Sequence, residues 1–78
     1  MLVQVCHFAQ LRERAGRSEE TVQIDPGTSV AALYARMFPP TDGRVLPVMF
    51  AVNQQYVTAD HPLVEGDEVA FIPPLGGG

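Results

Sequence analysis

The sequence predicts an α+β fold, a mixed sheet with one main helix packed on one face. Three observations predict it. Short stretches at 2–8, 19–24 and 68–72 alternate or run apolar in the manner of strands. One stretch, 28–38, repeats its apolar residues at helical spacing. Turn residues punctuate the rest, as in Asp25-Pro26-Gly27, Asn53-Gln54 and Gly66-Asp67.

Taken in order, residues 2–8 read as the first strand, with Val3 and Val5 alternating against Gln4. Residues 8–15 follow as a short helix. Leu11 and Ala15 share its inner face, Arg12, Glu13 and Arg14 are solvated, and Gly16 suits the left-handed position that closes a helix. Residues 19–24 form a second strand, with Glu20, Val22 and Ile24 on one face and Thr21 and Gln23 on the other. Thr28 is placed to cap the main helix, with Ala31 where a capping box would carry Glu or Gln. Val30, Leu33, Tyr34 and Met37 then face the sheet, and Pro39-Pro40 stops the helix near Phe38. A loop containing Asp42-Gly43 fills 40–47. Residues 48–52 make a third strand, 55–57 a short return strand, and 68–72 the last. One long helix crossing a mixed sheet in this order is the β-grasp arrangement. The domain is expected over 1–75, with a flexible C-terminal glycine tail at 76–78.

Composition narrows the function classes. At 78 residues, 46% hydrophobic and 18% charged, the chain suits one small folded domain and not a disordered one. A net charge of −4 argues against nucleic acid, whose phosphates need a basic patch, and favours a basic partner surface. All five basic residues are arginine, so there is no lysine for isopeptide extension or Schiff-base chemistry. A single cysteine allows no internal disulfide, which suits a reducing compartment. No basic region followed by an apolar stretch opens the sequence, and no apolar run nears the ~20 residues of a membrane span. The expected location is cytoplasmic, away from membranes.

The most informative stretch is Pro73-Pro74-Leu75-Gly76-Gly77-Gly78. Proline cannot donate to a sheet ladder, so pairing should end at or before Pro73. Three glycines cannot pack a core, and without Cβ atoms they can thread a channel too narrow for other residues. The tail is therefore expected to project from the domain and present the Gly78 α-carboxylate. That group becomes an electrophile once activated as an acyl-phosphate or acyl-adenylate. At about 3.3–3.6 Å per residue, an extended four-residue tail reaches roughly 13 Å into a partner.

Other chemistry is thin. Cys6, His7 and His61 are too few and too badly spaced for a structural zinc site, so no metal is expected. Cys6 reads as strand packing. Ser18 and Ser29 lack a His/Asp pattern beside them. In the last strand, Val69 and Phe71 inward send Ala70 and Ile72 outward. In the third, Phe50 and Val52 inward send Met49 and Ala51 outward. If those strands are neighbours, Met49, Ala51, Ala70 and Ile72 form an apolar outer stripe beside the tail, with Phe8 and Tyr56 at its edges.

Several segments together are specific. They are Phe8-Ala9-Gln10-Leu11-Arg12-Glu13 with Gly16, Ala51-Val52-Asn53-Gln54, Asp60-His61-Pro62-Leu63, Gly66-Asp67-Glu68-Val69-Ala70-Phe71, and Pro73-Pro74 with terminal Gly77-Gly78. Across essentially the whole chain they resemble the small subunit of molybdopterin synthase (MoaD type). The third glycine, Gly76, departs from many members, which carry a larger residue there. The resemblance implies a ubiquitin-like fold. It implies that an E1-like adenylating enzyme uses ATP to activate the Gly78 carboxylate, with Gly77 needed for threading, and that sulfur then converts it to a thiocarboxylate. It further implies that the large synthase subunit, in a heterotetramer of two small and two large chains, uses that sulfur to turn a cyclic pterin precursor into a dithiolene. The chain itself would bind no cofactor and catalyse nothing alone. Partner contacts would come from Phe8, Met49, Ala51, Tyr56, Ala70, Ile72, Pro73, Pro74, Leu75 and Gly76. A thiamine-type sulfur carrier shares fold and terminus, although the 8–13 stretch and Pro73-Pro74 argue against it. A ubiquitin-like modifier forming isopeptide bonds is the remaining alternative.

Overall fold

The computed structural model describes residues 1–40 and 46–74. The expected Asp42-Gly43 turn and the tail from Leu75 to Gly78 lie outside the described residues.

The described residues form five strands and two helices: β1 (Leu2–His7), α1 (Ala9–Ala15), β2 (Glu19–Gln23), α2 (Val30–Met37), β3 (Met49–Val52), β4 (Gln55–Val57) and β5 (Glu68–Ile72). They form one sheet in the order β2-β1-β5-β3-β4. The central pair, β1 with β5, is parallel, and the other pairs are antiparallel. Parallel neighbours need a crossover, and the chain between them supplies it together with α2. This is the mixed-sheet β-grasp architecture expected from the sequence.

The core lies on one face. Val3, Val5, Val69 and Phe71 from the two central strands meet Val30, Leu33 and Tyr34 of α2, with Leu11 and Leu63 closing the ends. Phe71 is fully buried, with ring centroids 5.0 Å from Tyr34, 6.0 Å from Phe50 and 6.2 Å from Phe38 in edge-on geometries. Such pairs add about 0.5–1.5 kcal/mol beyond area burial. Tyr34 donates its hydroxyl to the Leu46 carbonyl at 2.7 Å, and burial pushes this phenol above its ordinary range against the opposing pull of Arg14.

Some boundaries differ from the sequence reading. β1 stops at His7 because the chain turns at Ala9, whose φ is +50°. Phe8 is thus the N-cap of α1 and not its first residue, and Gly16 closes that helix at φ 77° as expected. The main helix is capped by Ser29, not Thr28: the Ser29 hydroxyl accepts from the Ala32 amide at 3.1 Å. Thr28 instead donates its hydroxyl to the Asp25 carbonyl at 2.7 Å. Long-range backbone bonds set this register. Leu63 donates to the Thr28 carbonyl and Val30 donates to the His61 carbonyl, both at 2.9 Å, holding Thr28 outside the helix.

Among the described residues, two buried polar side chains stand in this packing. Asp67 accepts from the Val64 amide at 2.9 Å and from Asn53 Nδ2 at 3.0 Å. Asn53, in the left-handed region at φ 52°, also accepts from the Glu68 amide at 3.0 Å, so the β3–β4 turn is clipped to the start of β5. Asp67→Ala leaves those donors without their acceptor, which costs about 1–3 kcal/mol. Thermal melts should show this as a clear loss of melting temperature; an unchanged melt would mean that the clip carries no stability. The second group, His7, places Nε2 2.8 Å from Glu20 Oε2 and packs edge-on against Phe38 at 5.4 Å. Its Nδ1 has no hydrogen-bond partner among the described residues.

Candidate functional site

The face of the sheet opposite α2 carries the site. Register places one side chain from each strand in a row across it: Glu19, Cys6, Ala70, Ala51 and Tyr56. The middle of that row is two alanines, flanked by larger side chains. Small residues between large ones make a valley, and the result is an apolar groove of about 320 Å³ lined by Cys6, Phe8, Ala51, Gln54, Tyr56, Glu68, Ala70 and Ile72.

One row further along β5, Ile72 pairs with Met49. There the groove runs into a second hollow of about 180 Å³, formed by Phe8, Ala9, Ile72 and Pro73. The left-handed backbone at Ala9 reverses the chain directly after β1 and leaves the Phe8 ring 48% exposed over this corner. Non-glycine residues at positive φ cost of order 1 kcal/mol or more, and such strain collects at functional surfaces. Met49 and Tyr56 are also large and exposed, at 54% and 68%. Phe8 and Tyr56 line the groove, Met49 sits beside Ile72 at its edge, and the two hollows share Phe8 and Ile72, so this face is suited to another molecule.

The structure therefore brings Phe8, Met49, Ala51, Tyr56, Ala70 and Ile72 together on one face. Two residues sit deeper than the sequence reading had them. Ala51 is only 7% exposed because Ala70 and Tyr56 flank it in register, so it is groove floor and not exposed stripe. Pro73 is buried against the body of the domain, and exposure resumes at Pro74. Leu75, Gly76, Gly77 and Gly78 lie outside the described residues.

Cys6 differs more. It is not core packing: Val3, Val5 and His7 take the inner face of β1, and Cys6 lines the outer groove half-buried. The period of two through Val3 and Val5 already pointed Cys6 outward and His7 inward. Burial first, then the Glu68 and Glu19 carboxylates, push the Cys6 thiol above its ordinary range. Such a thiol is protonated at neutral pH and so is a weak nucleophile. Iodoacetamide should alkylate Cys6 more slowly than free cysteine near neutrality, with the rate climbing as pH rises. Cys6→Ser should fold with little loss of melting temperature because the side chain borders the groove; a large loss in a thermal melt would overturn this placement.

The apolar end of the groove lies beside the exit of β5, and its other end is acidic and polar, with Glu68 and Gln54. No group of His, Cys, Asp or Glu suited to hold a metal occurs among the described residues. Among the described residues, the arrangement offers an apolar surface suited to recognising another molecule.

Comparison with known proteins gives concordant matches. The model of the ThiS family matches residues 5–78. Over 82 residues the chain is 43% identical to the molybdopterin synthase sulfur carrier subunit of Escherichia coli (strain K12), covering 99% of this chain and 100% of that one. It is 40% identical over 83 residues to the protein of the same name from Chlamydomonas reinhardtii, covering all of both. Among solved structures, a putative molybdopterin converting factor subunit 1 from Pyrococcus furiosus superposes with a TM-score of 0.77 at 30% identity, over 96% of this chain and 99% of that one.

Proposed function

This chain belongs to the ThiS family and aligns end to end with molybdopterin synthase sulfur carrier subunits, and on that premise we propose that it carries sulfur on its C-terminal Gly78. The observation that carries the reading is the continuous apolar hollow around Phe8, Ile72 and Pro73, placed where β5 hands over to the glycine-rich terminus.

An E1-like enzyme binds the groove and brings the Gly78 carboxylate to ATP. A carboxylate oxygen attacks the α-phosphorus, pyrophosphate leaves, and an acyl-adenylate forms. Hydrosulfide then adds to the carbonyl, the C–O bond to AMP breaks and AMP departs, leaving a thiocarboxylate. The charged carrier exchanges partners and docks on the large synthase subunit, which supplies the catalytic side chains. There the thiocarboxylate sulfur attacks the cyclic pterin precursor on the way to a dithiolene. Gly77 keeps the approach narrow. Both partners read the same apolar face, so they compete for it. The assembled synthase is a heterotetramer with two copies of this chain, working in the cytoplasm.

Charge supports the choice of partner surface. The chain is net −4, and Glu19 and Glu68 flank the Cys6 end of the groove. A basic rim on each partner would complement it, and such pairing speeds encounter at low salt more than it deepens affinity. The test is reconstitution with the large subunit and the cyclic pterin: the thiocarboxylated chain should yield dithiolene product and the plain carboxylate none. Turnover by the plain carboxylate would defeat the proposal.

A further inference from the structure

The chain has a chemical property that the carrier role alone does not require. Its 78 residues contain no lysine, and every basic position is arginine. We propose that arginine-only basicity makes the carrier inert toward its own activated terminus, so that the acyl group goes to sulfur and not to a nitrogen of another copy or of the same chain. The inference rests on the proposed activation at Gly78.

An acyl-adenylate reacts with any accessible amine. The amine nitrogen attacks the carbonyl, a C–N bond forms, the C–O bond to AMP breaks, and the nitrogen loses a proton to water. A lysine of ordinary pKa near 10.4 leaves roughly one molecule in 250 as free base at pH 8. Held near the electrophile, such an amine gains effective molarities that can reach about 10⁵ M or more. Guanidinium stays protonated and has no lone pair to offer. Arginine therefore keeps the structural uses of a cation without this hazard. Arg14 lies over the Phe38 ring at 5.2 Å, and Arg36 donates to the Gln23 carbonyl at 3.0 Å. Two other nucleophiles remain, each placed in the fold: the Met1 amino group donates to the Ile24 carbonyl at 2.9 Å, and the Cys6 sulfur sits half-buried in the groove beside Glu68.

The experiment combines the full chain with its adenylating enzyme, ATP and magnesium, with no sulfur source. Pyrophosphate exchange and hydroxamate formation with added hydroxylamine report whether the terminus is activated. Intact mass and denaturing gels report self-coupling, as a cyclised chain one water lighter or a covalent dimer. The same assay is run on Gln10→Lys, an exposed position beside the Phe8–Ala9 corner, and on Arg17→Lys, in the exposed turn after α1. The expected result is hydroxamate from all three proteins, no coupled product from the parent, and amide-linked product from the lysine variants. Self-coupling of the parent at Met1 or Cys6 would overturn the inference. So would lysine variants that form hydroxamate yet never couple. Absence of both pyrophosphate exchange and hydroxamate would instead sink activation at Gly78, and this inference with it.

Discussion

Removing Gly78, or adding one residue after it, should abolish sulfur transfer and leave the fold untouched. The core closes at Phe71, and among the described residues burial ends at Pro73, five residues before the terminus. The melting temperature should therefore stay where it was. The reacting carbon, by contrast, shifts by about 3.5 Å for each residue gained or lost. Misplacement of about 1 Å already costs around a hundredfold in rate. Both half-reactions, adenylation and delivery to the pterin, should fall by at least that factor. Full turnover by an extended chain that has not been trimmed would show that the terminus is not read by position.

The second large effect is expected from Ile72→Asp. Ile72 lines both hollows of the outer face and is the last residue of β5. In the free chain it is only half-buried, so the domain should tolerate the change with a modest loss of melting temperature. Docking on the proposed face would desolvate the side chain. Truncating a central apolar anchor costs about 2 kcal/mol or more, and an unpaired carboxylate buried there costs further. At 1.4 kcal/mol per tenfold, affinity should drop at least about thirtyfold. The loss should appear with both the large subunit and the adenylating enzyme, since both are proposed to dock on this face. A core position gives the opposite pattern: shortening the fully buried Phe71 should lower the melting temperature first. Calorimetric titration showing unchanged affinity for both partners would mean that the tail is recognised without the groove.

Much of this surface was legible in the sequence because strands alternate. Val69 and Phe71 inward, with Ala70 and Ile72 outward, follow from period two, as does the pairing with Met49 and Ala51 once β3 and β5 are neighbours. Depth was not legible. Whether Ala51 stands proud or forms a floor depends on Tyr56 across the β3–β4 hairpin, which a one-strand pattern cannot report. Pro73 reads as the start of a projecting tail because proline ends pairing; in the fold it is buried and lines one hollow with Phe8 and Ala9, the latter 64 positions earlier. The cap of α2 turned on two adjacent hydroxyls, and the choice of Ser29 over Thr28 was made by backbone bonds to His61 and Leu63. The same holds for the Asn53–Asp67 clip and the His7–Glu20 pair, whose partners lie 14 and 13 residues apart. Polar side chains such as these read as surface in sequence and are drawn inward only by a partner that folding supplies.

The central claim is that sulfur resides on Gly78, and intact mass spectrometry with fragmentation tests it most directly. After incubation with the adenylating enzyme, ATP and a sulfur source, the chain should gain the mass of one sulfur in place of one oxygen, and the fragments should map that change to the C-terminal residue. A gain of a whole sulfur atom mapping to Cys6 as a persulfide, with Gly78 unchanged, would contradict the account.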